Sequence, residues 1–354
     1  MTDFDYTNLV SLTLDKEYAE VAAKVAKESR GLRSLNIRGS SLNKMAEYKR
    51  WSSLEELQIT SVHEVRDKEV VRRLLSAPDA LTKLRLSIGV VSEQDQGDPP
   101  ILIPSLTNLE LHGIRGLWPV DCPNLTHLTL RMPPFTGNLP NESIHLPHLV
   151  ELVYVAAYSA QSPLRVFVLP SLQTFEFQCT SGKAACGSAL KSIWPSSISK
   201  GTVHTSLSNI EPRTLIIRNA LVNEKLLARA LAGRSKLEEL VAVDISLSVS
   251  FFQDIMPATV VIKDVAGAAK ANANANTKAV QGRKKTTSAQ NITCASLKRL
   301  EIDLVSRQKI GRNQEGVEAS AKALIAARAN AGCPLERLAM RFSKDEGWKD
   351  LVQD

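Results

Sequence analysis

Apolar residues in this chain recur in a six-residue figure, Leu-x-x-Leu-x-Leu, with conservative replacements. It begins at Leu9-Leu12-Leu14 and returns at Leu32-Leu35-Ile37, Leu54-Leu57-Ile59, Leu81-Leu84-Leu86, Leu106-Leu109-Leu111, Leu125-Leu128-Leu130, Leu149-Leu152-Tyr154 and Leu172-Phe175-Phe177. Fainter copies stand at Leu215-Ile217 and Leu237-Leu240, and clear ones at Leu297-Leu300-Ile302 and Leu335-Leu338-Met340. One hexad carries little weight, because leucine is common. Eight in succession at about 19–27 residues point to an internal repeat. The second half of each hexad alternates with period two. It therefore predicts a short strand with two aliphatic side chains pointing inward and the flanking residues facing solvent.

No single repeat can bury such a face alone, whereas stacking the strands in parallel joins the faces into one core. Period and pattern together predict an α/β fold, a leucine-rich-repeat solenoid with a curved parallel sheet on its concave side and mixed helices and extended returns on its convex side. Helices are expected after Asp15, with Tyr18, Val21, Ala22 and Val25 on one face, over Leu42 to Arg50, and around Val71, Leu74 and Leu75. Between Pro99 and Gln178 the returns are rich in Pro and Gly and should be extended or single-turn pieces. Helices resume at Asn223 to Ala232 and again with Val317, Ala321, Leu324 and Ile325 on one face, closed by Gly332 and Pro334. The expected organisation is a solenoid over residues 1–262 with a loop excursion at 181–208, a disordered low-complexity insertion at 263–291, and C-terminal repeats with a capping helix of the same solenoid at 292–354. The insertion, with its Ala-Asn alternation, lacks the apolar groups needed to offset ordering entropy.

Composition narrows the setting. The chain has 354 residues, 44% hydrophobic and 23% charged, ample for a buried core. A net charge of +7 is spread out, with one tight cluster at Arg283, Lys284 and Lys285, so a nucleic-acid partner is not expected. Five scattered cysteines without a Cys-x-x-Cys pair fit reduced thiols and a cytoplasmic or nuclear location. No apolar run reaches the length of a membrane span, and the first ten residues do not read as a secretory signal. Sequons at Asn124, Asn141 and Asn291 would matter only in a secreted chain.

The lead-ins to the hexads carry a further resemblance. Pro104-Ser-Leu-Thr-Asn-Leu, Cys122-Pro-Asn-Leu-Thr-His-Leu, Leu146-Pro-His-Leu-Val-Glu-Leu and Leu169-Pro-Ser-Leu, with Ala323-Leu-Ile-Ala-Ala-Arg and Gly332-Cys-Pro-Leu-Glu-Arg-Leu near the end, resemble the repeat portion of fungal, basidiomycete-type F-box/leucine-rich-repeat proteins. The resemblance implies that the repeats capture a substrate while an F-box docks on a cullin-ligase adaptor for ubiquitination. Here the first hexad starts at Leu9 and leaves no room ahead of it for an F-box. The expectation is a truncated F-box protein or one that retains only the binding half, with a cullin adaptor as partner only if an F-box exists outside this chain. The other reading is a free-standing leucine-rich-repeat scaffold or regulator.

In register, the solvent-facing strand positions form the expected binding surface for a protein partner of a monomeric chain. Its charged candidates include Arg85, Glu110, His112, Arg131, Glu151, Glu176 and Arg218, a mixed face suited to charge complementarity. Its apolar candidates, at the same outward positions, are Val153, Val155, Ile216, Val241 and Val243. Catalytic, metal and cofactor sites are not expected. His112 and His127 stand four strand positions apart, roughly 13 Å along the axis and too far to share a zinc. His145-Leu-Pro-His148 contains a proline, and Ser181-Gly-Lys183 lacks the upstream glycine of a phosphate loop. No Gly-x-Ser-x-Gly elbow occurs, and the pre-proline Cys122 and Cys333 sit at packing positions.

Overall fold

A computed structural model describes residues 8–14, 25, 28–29, 31–38, 53–64, 75, 79–89, 101–112, 120–132, 144–156, 164, 167–180, 212–220, 224–232, 236–245, 247–256, 294–304, 314–343, 345 and 347–353. One open sheet of thirteen strands runs β1 (Ser11–Leu14), β2 (Ser34–Arg38), β3 (Glu56–Glu64), β4 (Lys83–Gly89), β6 (Asn108–His112), β8 (His127–Met132), β10 (Glu151–Ala156), β12 (Thr174–Cys179), β13 (Thr214–Arg218), β14 (Glu239–Val243), β15 (Arg299–Asp303), β16 (Arg337–Arg341) and β17 (Lys349–Asp350). Two short parallel pairs lie outside it, β5 (Ile101–Leu102) with β7 (Val120–Asp121) and β9 (Ile144–His145) with β11 (Phe167–Val168). They supply extended returns in the proline-rich stretch.

Every pairing in the large sheet is parallel except the last, and the hexads meet position for position. Leu12, Leu35, Leu57, Leu84, Leu109, Leu128, Leu152, Phe175, Leu215, Leu240, Leu300 and Leu338 form one row across the sheet. Leu14, Ile37, Ile59, Leu86, Leu111, Leu130, Tyr154, Phe177, Ile217, Ala242, Ile302 and Met340 form the second. Both rows belong to a single hydrophobic cluster, with only Leu12, on the edge strand, less than fully buried. In the faint ninth copy the missing first leucine is replaced by Pro212, also buried. The residues between β12 and β13 and between β14 and β15 do not interrupt the pairing. The loop excursion at 181–208 and the insertion at 263–291 themselves lie outside the described residues, as does the helix expected over Leu42 to Arg50.

A hydrogen-bond ladder fixes where each strand starts. The amides of Arg33, Glu55, Thr82, Thr107, Thr126, Val150, Gln173, Arg213, Glu238, Lys298 and Glu336 each donate to the carbonyl of the corresponding residue one repeat earlier, at 2.7–2.9 Å. Hydroxyls of Thr82, Thr107 and Thr126 donate to the same carbonyls. Ahead of that ladder the Pro-x-Leu lead-ins become tight turns. Leu106, Leu125, Leu149 and Leu172 donate their amides to Ile103, Cys122, Leu146 and Leu169 at 3.1–3.4 Å. Proline in the second position presets the backbone for that turn. The third turn residue then reaches back one repeat: Ser105 Oγ donates to Leu81 O, Asn124 Nδ2 to Pro104 O and Ser171 Oγ to Pro147 O. Asn124 therefore has a structural use.

On the other side of the core lie α1 (Glu224–Ala232), α2 (Val249–Asp254) and α3 (Gln314–Asn330). Val25 and Leu75 are helical and buried in the earlier returns, whereas Tyr18, Val21, Ala22, Val71 and Leu74 lie outside the described residues. The sequence pattern missed α2, which is less than two turns long, capped by Ser248 and anchored by buried Phe251 and Phe252. Helix α3 buries Val317, Ala321 and Leu324 as expected and half-buries Ile325. It ends where Gly332 takes φ +74 and the amides of Cys333 and Gly332 return to Arg328 O and Ala329 O, the left-handed C-terminal cap.

The same helical face continues to Arg328, which is 1% exposed. Its Nη2 donates to Leu297 O at 2.8 Å and Cys294 O at 3.1 Å, satisfying the carbonyls of the turn that leads into β15. Burial pushes this guanidinium below its ordinary pKa. The far edge of the sheet is closed by β17, which pairs antiparallel with β16 and buries Leu351; Lys349 Nζ ties it to Glu318 of α3 at 2.8 Å. An edge strand of only two residues offers little backbone for further strand pairing. Arg328→Met keeps much of the side-chain volume but leaves buried carbonyls unmet. It should lower unfolding free energy by roughly 1–3 kcal/mol, read by urea denaturation; an unchanged midpoint would show that the turn does not depend on this clamp.

Candidate functional site

With the hexad leucines committed to the core, each strand presents its first, third and fifth residues on the opposite face. Helix residues such as Leu227, Phe252 and Leu324 share the hydrophobic cluster with the inward leucines, so these helices lie behind the sheet. The open face carries the chemistry.

Glu110 of β6 is a charge hub. Arg85 Nε from β4 and Arg131 Nε from β8 each approach its carboxylate at 3.4 Å, and His112 Nε2 contacts it from the same strand. Burial is the main cause that pushes His112 below its ordinary pKa, and the Glu110 carboxylate opposes it without prevailing. Beside it, Lys83 pairs with Glu56 and His127 Nε2 stands 3.7 Å from Glu151. The register places His127 next to Asn108 and His112 next to Arg131, so the two imidazoles are four positions apart. Among the described residues no three metal-ligating side chains converge.

Further along, Arg218 Nε donates to Glu176 Oε1 at 2.7 Å. Arg337 reaches Glu301 at 3.2 Å and Asp350 at 3.6 Å, and Arg341 pairs with Asp303. The pairs share one asymmetry. Arg85, Arg131, Arg218, Arg337 and Arg341 are 33–48% exposed, whereas Glu110, Glu176, Glu301, Asp303 and Asp350 are 2–25% exposed. Carboxylates lie low against the sheet and guanidinium groups stand above them. Glu56 and Glu151, toward the other end, and Glu336 beside Arg299 depart from this and are about as open as their partners.

The apolar candidates need correction. Val155 is buried at 4%, not exposed. It stays outside the core cluster, so its burial comes from the open side, where Arg131 and Gln178 flank it in register. Val153, Ile216, Val241 and Val243 are half-buried, since short branched side chains are shaded by rows only about 4.8 Å away. Ile216 and Val241 are register neighbours, and Val243 lies two residues on.

Sequence reasoning placed Arg341 at an outward position of the last hexad but missed β17 and Trp348 beside it. Arg341 Cζ lies 5.4 Å from the ring centroid of Trp348, a cation–π contact, and Trp348 is 41% exposed. The stretch Trp348-Lys-Asp-Leu351 has neither period-two alternation nor the hexad, so it carried no strand signal. Cys122 is packed as expected, its thiol pushed up to about 12, mainly by burial. Among the described residues no helix is long and apolar enough to cross a membrane.

A histidine held below its solution pKa takes up a proton less readily folded than unfolded. Its neutral form therefore favours the fold above about pH 6.5, and that contribution is lost progressively as pH falls from there through the lower folded value. Urea unfolding of His112→Gln at pH 7.5 and 5.5 should show a smaller loss on acidification than the parent chain; an identical loss contradicts the assignment. The chain matches no protein-family model and no curated protein, so a functional reading rests on the geometry above.

Proposed function

We propose that this chain is a leucine-rich-repeat solenoid that recognises another protein through the open face of its sheet, acting as the substrate-recognition half of an F-box-type ubiquitin ligase. The observation that carries the reading is the unbroken register: three outward positions on each repeat, in aligned rows, with charged side chains surrounding a half-buried apolar group at Ile216, Val241 and Val243. A row of fixed rigid positions is suited to an extended partner surface. The link to ubiquitin ligation rests on the Pro-x-Leu lead-ins, which recur as the tight turns before β6, β8, β10 and β12. The runner-up, a free-standing scaffold or regulator, uses the same face without a cullin adaptor. Neither reading assigns the chain a catalytic residue.

Affinity capture of the full chain from fungal extract, beside Ile216→Asp and Val241→Asp variants of unchanged melting temperature, tests both. The account expects a stable partner that either variant loses. Co-purifying cullin adaptor favours ligase coupling, and a stable partner without adaptor favours the scaffold. An identical partner set on all three proteins contradicts recognition by this face.

A further inference from the structure

We infer that the C-terminal half of the open face binds an extended acidic segment in which an apolar residue is flanked, two positions away on each side, by carboxylates. This deepens the recognition reading and rests on it.

The inference starts from donors left over. Arg218 uses its Nε on Glu176, and Arg341 uses Nη2 on Asp303. Their remaining Nη donors have no partner among the described residues. The carboxylates beneath are shaded and act as buttresses: each holds one edge of a guanidinium, and Trp348 lies against the guanidinium of Arg341, so both groups are held in place with Nη donors uncommitted. A preorganised guanidinium fork matches a carboxylate in geometry as well as charge.

Spacing then specifies the ligand. Arg218, Val243, Asp303 and Arg341 occupy one row, each the register partner of the next. Three inter-strand steps of about 4.8 Å separate the two arginines by roughly 14 Å. An extended chain crossing the strands advances about 3.4 Å per residue, so residues i and i+4 lie roughly 13.5 Å apart with side chains on the same side. Residue i+2 then falls between Val243 and the shaded Asp303, at the edge of the apolar group of Val243, Val241 and Ile216. The pattern is acid, any, apolar, any, acid.

Charge balance decides between a protein and a nucleic acid. Each arginine in this row sits on its own carboxylate, so the row has little net field to gather phosphates. Short-range bidentate hydrogen bonding remains, together with an apolar anchor that a sugar-phosphate backbone does not use.

The probe is a fluorescein-labelled peptide, Gly-Glu-Ala-Leu-Ala-Glu-Gly, titrated with the full chain by fluorescence anisotropy. Alongside it run a version with both Glu replaced by Gln, a version with the acids two residues apart, and a uridine oligonucleotide. Binding with Kd below about 1 mM is expected, weakened at least tenfold by Arg218→Gln, or by Arg341→Gln combined with Asp303→Asn so that no buried carboxylate is left unpaired, in chains of unchanged melting temperature, and about as much by the Gln peptide. The closer-spaced peptide should bind several-fold more weakly. No measurable binding, indifference to the acids, their spacing or both arginines, or tighter binding of the oligonucleotide overturns the inference. A peptide-display selection separates this failure from that of the broader reading. Selected sequences without acids that are lost on Ile216→Asp leave protein recognition standing while removing the acidic ligand.

Discussion

The structure depends on a burial that no repeat can complete alone. Each hexad strand offers two aliphatic side chains on one face, and those side chains leave water only when another strand with the same spacing lies beside them in register. A shift of one residue would turn every leucine of that strand outward, so register is fixed by the hydrophobic requirement itself. The ladder from Val10 to Lys298 carbonyls adds a backbone constraint at the start of each strand, and the Pro-x-Leu turns deliver the chain to it. Hydrophobic burial and hydrogen bonding therefore specify the same alignment.

The functional face is the complement of that constraint. Once two positions per strand belong to the core, the three between and around them are less constrained, buried members such as Val155, Asp303 and Ala339 apart, and there the sequence becomes mostly polar, charged and individual. Arrangement matters more than composition. Arginines and carboxylates are nearly balanced in number across the face, yet the low-lying acids of Glu110, Glu176, Glu301, Asp303 and Asp350 leave the arginines outermost. At these pairs a partner meets the guanidinium group before the carboxylate that balances it.

Much of the sheet was legible because period-two alternation and repeat spacing are local signals that survive insertion. Even the faint copies at Leu215 and Leu240 take their places, since Pro212 substitutes for a leucine and Ala242 for a larger aliphatic. What escaped lacks periodicity. Helix α2 is too short to show a face, and β17 follows no hexad. Arg328 continues the apolar series of α3 but is charged, and its role depends on carbonyls 31–34 residues away. The site was legible as positions and not as exposures: Val155 occupies its expected outward place but is buried there, because shading by neighbouring rows is a tertiary property.

The central claim is that the hexads align in one parallel register across the stretches that separate them. Cysteines replacing Val241 and Glu301, register partners on β14 and β15, give the most direct test. Parallel neighbours about 4.8 Å apart fall within disulfide range. Under mild oxidation the pair should join in high yield, identified by peptide mapping, while Val241→Cys with Asp303→Cys, two residues out of register, should not. Equal yields for the two pairs, or no bond in either, would contradict the account.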